Sequence, residues 1–410
     1  MPEEQKQPTR ILFLLTQDLE SPYGAGRFLP ISRFLAQQGY AVSMAALHAN
    51  FQDLHETRFL KEGVRMHYVG QMHVKKEANQ TVYFSPGQLL VNTLKATWRL
   101  FRFVMNNPTD VIIICKPHPM NSLAGIVGGW LRGARIILDC DDYEAASNYF
   151  SASWQRRLLR LFEDGMPRLA HRVTTNTHFN KNRMLDLGIP RSKIVYLPNG
   201  VDRERFTIQD TEPIDRILSG LGWHANPIIG YIGSLSLANH PVDLLLRSFR
   251  ILADRLPEAR LLIVGGGKDL KPLQSLATSL GIAEKTNFYG KVPPEDVPYF
   301  YRIASVTVDP VNPTDAARGR CPLKMFESWF SGTPFVTADV GDRRILAGDP
   351  PAALLAKPGD AADLADKLVT VLTQPECAQP LIQQGRARIK TYNWQDLTGI
   401  VDNLIQELVQ

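Results

Sequence analysis

Short apolar runs alternate with amphipathic stretches along the whole chain. Ile11–Leu15 (ILFLL) is apolar at every position, the mark of a strand buried on both faces. Gly24-Ala25-Gly26-Arg27 follows it, then a helical pattern to Gly39 and a second strand at Ala41–Leu47. Val111–Cys115 (VIIIC), Ile136–Leu138 and Val173–Thr174 predict further strands, with helices at Ser122–Leu131 and Ser153–Leu169 between them. Such a βαβ succession predicts a doubly wound sheet.

The pattern then restarts. Ile194–Leu197 leads into the turn Pro198-Asn199-Gly200, and the polar stretch Asp202–Trp223 reads as an inter-domain linker. Ile228–Ile232 opens a new set of buried strands, continued by Leu261–Val264, Asn287–Tyr289, Val306–Val308 and Phe335–Thr337. Val242–Leu256 predicts a helix with Pro241 at its start. The reading is an α/β chain of two Rossmann-like αβα domains, 1–203 and 204–390, with a terminal helical segment at 391–410. Ligands of such sheets bind beyond the carboxyl ends of the strands, so the two sets of strand-end loops are expected to face a shared cleft.

Composition adds exclusions. A chain of 410 residues is too long for one ordinary core. Cys115, Cys140, Cys321 and Cys377 lie far apart and form no CxxC or Cys/His ligand spacing, so neither a disulfide framework nor a zinc site is expected. The start, MPEEQKQPTR, is polar and not a signal peptide, and no apolar run reaches spanning length, so a cytoplasmic location is expected. The net charge of +5 is unevenly spread: residues 1–203 hold about 25 basic against 17 acidic side chains, the remainder about 21 against 24. A basic first half predicts an anionic partner on that side.

Candidate chemistry concentrates in Arg318–Asp342, RGRCPLKMFESWFSGTPFVTADVGD. Pro322 opens a helix there and Gly332 closes it. Lys324 then falls in the first turn, where a cation opposes the helix dipole. An anion bound by the free backbone NH groups and by Lys324 would remove that conflict. The competing reading is a simple Lys324–Glu327 pair at i, i+3. Glu327, one turn on, is placed to accept from ribose hydroxyls, or else is a solvated helix residue.

The neighbouring SGTPFV turn, together with PNGVD at 198–202, resembles the large family-4 retaining glycosyltransferases, which have the GT-B fold. The resemblance runs through YGAGRFLPISRFLAQQGYAV, AHRVTTNTHF, KIVYLPNGVDRERF, IIGYIGSLS, LLIVGGGKD, FYGKVPPEDVPYFYRIASVTVDP and the closing TYNWQDLTGIVDNLIQEL. It implies that the last helix packs back on the first domain. It also implies a nucleotide-diphosphate sugar as donor, no separate cofactor, no metal, and transfer with retention to a glycan or lipid-linked acceptor. Gly26, Arg27, Lys324 and the NH groups near Gly233, Ser234 and Leu323 become candidates for the diphosphate, with Gly265 on the neighbouring glycine loop. Gly290, Lys291 and Val292 are candidates to frame the base, and Glu327 to hold the ribose. Departures are specific. The family's first glutamate of E-x7-E falls on Gly319, and its two diphosphate cations fall on Ser234 and about Asn239 or His240. Lys324 replaces one of them, and Arg320 or Arg318 the other.

His118, in KPHP after the VIIIC strand, is expected near the sugar. Asp139-Cys140-Asp141-Asp142 contains a DxD match, but it lies in the first domain, so Asp141 or Asp142 is read as an acceptor-side base or sugar ligand without a metal. QLLVNTLKATWRLFRFVM at 88–105 is a basic amphipathic helix, and WQRRLLRLF at 154–162 adds basic and aromatic positions. Together they point to peripheral membrane contact, against a plain packing role for both helices. No nucleic-acid module is recognisable. A non-catalytic partner subunit and a GT-B sugar-nucleotide epimerase are the competing functions, the first supported by Gly319, Ser234 and Asn239.

Overall fold

The all-apolar runs become the central strands of two separate parallel sheets, because only a strand covered on both faces tolerates such a sequence. The computed structural model describes residues 7–19, 24–77, 80–148, 150 and 153–410. Most of the polar N-terminal stretch and Tyr23 of the glycine-rich loop lie outside the described residues. The chain divides into one unit of residues 1–198 and 394–410 and another of 199–393.

In the first unit the strands are β1 (Arg10–Leu14), β2 (Ala41–His48), β3 (Arg58–Lys61), β4 (Val64–Gln71), β5 (Val74–Glu77), β6 (Gln80–Tyr83), β7 (Val111–Cys115), β8 (Arg135–Cys140), β9 (Arg172–Thr175) and β10 (Ile194–Tyr196). Its helices are α1 (Leu29–Gln37), α2 (Pro86–Asn106), α3 (Pro119–Arg132), α4 (Glu144–Ser147), α5 (Ser153–Leu169) and α6 (His178–Asp186). The main sheet has the order β10-β9-β8-β7-β1-β2-β4-β3, while β5 and β6 pair separately. All its neighbours are parallel except β3, which is antiparallel to β4. Strand order reverses between β1 and β7, so the ligand crevice of this sheet lies beyond their carboxyl ends. Asn121 fastens that point, donating from Nδ2 to the carbonyls of Leu14 (3.1 Å) and Cys115 (2.7 Å).

The second unit repeats the plan with β11 (Ile228–Ile232), β12 (Arg260–Val264), β13 (Thr286–Gly290), β14 (Val306–Asp309), β15 (Phe335–Ala338) and β16 (Leu354–Ala356). Its helices are α7 (Arg203–Phe206), α8 (Glu212–Leu221), α9 (Val242–Arg255), α10 (Leu270–Ser279), α11 (Val297–Ile303), α12 (Asp315–Arg318), α13 (Leu323–Ser331), α14 (Arg343–Ala347), α15 (Ala361–Thr373) and α16 (Pro375–Arg388). The order β13-β12-β11-β14-β15-β16 is wholly parallel and reverses between β11 and β14. The last helix, α17 (Trp394–Val409), belongs to the first unit and packs on α1. Trp394 Nε1 donates to the Gly26 carbonyl at 2.8 Å, and Tyr40 donates its hydroxyl to Asp402 at 2.5 Å.

Two stretches differ from the sequence expectation. The polar segment after Pro198 is not a bare linker but folds into α7 and α8, with Gly222 closing α8 in the left-handed conformation (φ 69°). Ile217, Leu218 and Leu221 supply the reason, since they pack on the second unit's core. The β3–β4 hairpin was also not anticipated. Its signal is Glu62-Gly63, a two-residue turn with φ of 51° and 80° between alternating strands.

Candidate active site

At the β11/β14 reversal the second unit gathers its glycine loops and its cations. The Gly233 NH donates to the Val264 carbonyl (2.9 Å), and the Gly265 NH to the Gly290 carbonyl (2.7 Å), so the turns after β11, β12 and β13 are bonded in series. Gly265 must be glycine: its φ is +139°, and a Cβ there would lie 1.9 Å from the Gly233 carbonyl oxygen. At Gly233 the constraint is a neighbouring side chain. A Cβ there would come within 2.7 Å of Lys324 Cε, the side chain that fills the space above it. Ser234 is exposed beside it, and its carbonyl accepts from the Tyr231 hydroxyl at 2.7 Å. Lys291 lays its stem across Gly266, and Val292 packs partly on the core.

Helix α13 begins here. Pro322 occupies the N-cap and offers no side-chain cap, so the first-turn NH groups at Leu323 and Lys324 have no side-chain acceptor. Lys324 Nζ reaches Asp309 Oδ1 at the end of β14 (2.8 Å) and lies 4.4 Å from the centre of the Tyr231 ring. Arg343 takes the other oxygen of Asp309 at 2.9 Å. Burial alone would raise the Asp309 carboxyl, but Lys324 and Arg343 hold it well below the usual carboxylate range. Arg320 donates to the Asn239 carbonyl (2.9 Å) and is close enough to oppose the charge of Lys324. Burial, then Lys324 and Arg320, keep His240 well below its ordinary value. Lys324 and Arg343 share Asp309, and Arg320 adds a third cation near Lys324, an excess of positive charge suited to a diphosphate at a helix N-terminus.

The structure separates the remaining candidates. Lys324 and Glu327 do not pair. Glu327 instead accepts from Arg205 of α7 (2.8 Å) and from the Tyr301 hydroxyl of α11 (2.7 Å). Arg318 pairs with Asp315 on the exposed surface, so Arg320 is the arginine beside Lys324. Gly319 caps α12 and brings no carboxylate. Arg27 is only 1% exposed, and its guanidinium is held by Asp139 (2.7 Å) and the Leu197 carbonyl (3.3 Å). It stabilises the first unit's interior, and Gly26 beside it supports Trp394 through its carbonyl.

The second constellation lies at the β1/β7 reversal of the first unit. Lys116, the residue after β7, adopts a left-handed backbone (φ 73°), a strained choice for a residue with a Cβ. That turn drives its ammonium among Asp141 (3.2 Å), Asp142 (3.1 Å) and Glu144. The three carboxylates have oxygens within 4.8 Å of one another, and Lys116 stands where a cation would be bound. His118, the N-cap of α3, has both ring nitrogens engaged: Nδ1 with Thr16 Oγ1 at 2.6 Å and Nε2 with Glu144 at 3.0 Å. The acidic DCDD stretch thus divides, Asp139 serving Arg27 and Thr174 while Asp141 and Asp142 serve Lys116. Lys116, Glu144, Asp309 and Arg343 escaped the sequence reading. Lys116 and Asp309 carry one signal, their position at the end of a buried strand in CKP and VDP, whereas Glu144 and Arg343 lie on the short helices α4 and α14 with no such mark.

Burial pushes Asp141 up to about 8, against the pull of Lys116, and Glu163 up to about 7. For Glu144, burial is outweighed by Lys116 and His118, which hold it below the usual range. The two raised groups stabilise the fold fully below their unfolded values near 3.8 and 4.5, and this contribution is lost as pH rises through 7 and 8. Glu144 acts in the opposite direction and loses its contribution only in acid. The melting temperature of the protein is therefore expected to fall between about pH 5 and pH 8.5, and Glu163→Gln to remove roughly half of that fall. Thermal melts across that range are the check. An unchanged slope in the variant would assign the effect elsewhere.

Two parallel αβα units, each with its polar groups at the strand reversal, define a GT-B glycosyltransferase architecture. The chain belongs to the glycosyl transferases group 1: residues 219–388 match that family's model, and residues 25–200 match the glycosyl transferase 4-like domain. It is 30% identical over 425 residues to the D-inositol 3-phosphate glycosyltransferase of Geodermatophilus obscurus, covering 97% of this chain and 88% of that one. It is 28% identical over 220 residues to the protein of the same name from Corynebacterium jeikeium, covering 52% and 51%. For several such curated relatives the match spans about half of their length. Anabaena HepE in complex with UDP-glucose shares the fold, with a TM-score of 0.71 at 16% identity over 97% of this chain and 99% of that one.

Proposed function

We propose that the protein transfers a sugar, with retention and without a metal, from a nucleotide-diphosphate sugar to a hydroxyl of a glycan or lipid-linked acceptor. The observation that carries this is the uncapped start of α13 with Lys324 against Gly233 and Arg320 near Lys324. As the sugar–phosphate bond loosens, charge grows on the departing diphosphate. NH groups at Leu323 and Lys324, the Lys324 ammonium and Arg320 lie together at the start of α13, and they stabilise that charge once the diphosphate draws Lys324 from Asp309 and Arg320 from the Asn239 carbonyl. The UDP-glucose held by the Anabaena relative supports a donor of this class. Gly290, Lys291 and Val292 frame the base in this reading.

Asp141, Asp142 and His118 form the acceptor side, and the Lys116 ammonium supplies there the positive charge that a metal would bring. Glu327, held by Arg205 and Tyr301, reaches the ribose only if it exchanges one of those partners. The protein works from the cytoplasmic face of a membrane, in peripheral contact with it. No described helix is long and apolar enough to cross a bilayer.

The test is a thermal melt with UDP, GDP and ADP and their sugars. A ligand at about 100 times its dissociation constant adds roughly 2.7 kcal/mol of stability. One nucleotide series is expected to shift the melt, and the product formed with a simple acceptor is expected to keep the donor's anomeric configuration by NMR. No shift with any nucleotide, and no turnover, would point to the partner-subunit reading.

A further inference from the structure

We propose that the outer face formed by α2, α3 and α5 is the surface on which the protein lies against an anionic lipid bilayer. This assigns a place to the membrane contact proposed above and rests on it.

The three helices are neighbours on one face of the first unit's sheet, α3 packing against both α2 and α5. Helix α3 carries apolar residues on its outer face as well as its inner one. Its glycines point inward: a Cβ on Gly125 would strike Ile114 at 2.7 Å, one on Gly128 would strike Val104 of α2 at 2.7 Å, and one on Gly129 would crowd Ile136 at 3.1 Å. Leu123, Val127, Trp130 (53% exposed) and Leu131 (65%) point outward as one helical stripe, while Met120 and Ile126 are buried. The same holds for Leu90, Val91, Leu94 (62%) and Trp98 (61%) on α2, and for Trp154 (52%), Leu158 and Leu161 (67%) on α5. Scattered exposed apolar residues need no explanation, but exposed apolar stripes on three helices that pack side by side, with a tryptophan on each, are of the kind that marks an interaction site. Tryptophan suits the bilayer interface in particular.

Charge names the partner. The exposed cations Lys95, Arg99 and Arg102 lie on α2, and Arg156, Arg157 and Arg160 on α5. Helices α2 and α3 contain no acidic residue. On α5, Glu163 is buried and Asp164 is paired with Arg160 and Arg183. A second copy meeting the same face would set these cations against one another, whereas an anionic bilayer meets them with opposite charge. The helices run antiparallel to the parallel strands, so their first turns lie at the strand ends that carry Lys116 and His118. Contact along these stripes sets that site beside the headgroups.

Co-sedimentation with phosphatidylglycerol–phosphatidylcholine vesicles and with pure phosphatidylcholine vesicles, at low and high salt, tests the assignment. Wild-type protein is expected to bind the anionic vesicles and to be released by salt. The triple variant Trp98→Ser, Trp130→Ser, Leu131→Ser and the double variant Lys95→Glu, Arg102→Glu are each expected to partition at least about tenfold less. Both should keep the wild-type melting temperature and nucleotide-induced shift, because the altered side chains are exposed. Wild type that binds no vesicle overturns the membrane contact itself. Wild type and variants that bind alike overturn this surface and leave the contact standing. Lipid-free self-association abolished by Trp130→Ser would overturn the proposal in favour of a second copy.

Discussion

Replacing Lys116 by methionine is expected to lower the stability of the first unit by about 3–5 kcal/mol, a fall of roughly 6–20 °C in its melting temperature. Asp141, Asp142 and Glu144 are all buried, and the Lys116 ammonium is the charge that joins them. Methionine fills similar volume, so the loss is electrostatic and not a cavity. Without the ammonium Asp141 moves further above its unfolded value, and Glu144 loses the pull that holds it below its own. The deficit is therefore greatest near pH 8 and shrinks as pH falls towards 5, where the folded state takes up protons. Lys116→Gly separates the two roles of the residue. It relieves the left-handed backbone, worth about 1 kcal/mol, but leaves the same charge deficit. Melts of both variants across pH decide the matter: a methionine variant within about 1 kcal/mol of wild type at pH 8 would mean that Lys116 does not hold the cluster.

Lys324→Ala is expected to reduce kcat/KM for sugar transfer by about 10²–10³ and to abolish the nucleotide-induced thermal shift. Its stability cost is expected to be small by comparison with Lys116. Asp309 keeps Arg343 at 2.9 Å, and the variant removes a cation from the positive end of α13. Gly233→Ala probes the same point without touching the charge. Its new Cβ would displace Lys324 Cε, now 2.7 Å from that position, so the same loss is expected in weaker form. Steady-state kinetics with the responding nucleotide sugar, alongside unliganded melts, make the comparison. Activity retained in Lys324→Ala would remove this residue from the diphosphate site.

Some of this was legible in the residues. ILFLL, VIIIC and IIGYI could only be strands covered on both faces, and each is a central strand. Pro322 and Gly332 bracket α13 as their backbone preferences require, and Lys324 falls in its first turn. Other readings stopped short. The Lys324–Glu327 spacing permits a pair on an isolated helix, but Asp309, Arg205 and Tyr301 offer each residue a better-placed partner. Arg27 reads as a ligand beside glycines, and the pair it makes with Asp139, 112 residues away, is not legible in the sequence.

The sequence by itself determined the two-sheet architecture and the family, because these follow from period, backbone preference and short motifs, all of them local. Tertiary structure alone decided which charges meet. Lys116 with three carboxylates, Asp309 between Lys324 and Arg343, and the outward apolar stripe of α3 all depend on where strand ends and helix faces are brought together. Ion pairing and burial act through space between residues distant in the chain, and no local pattern encodes that distance.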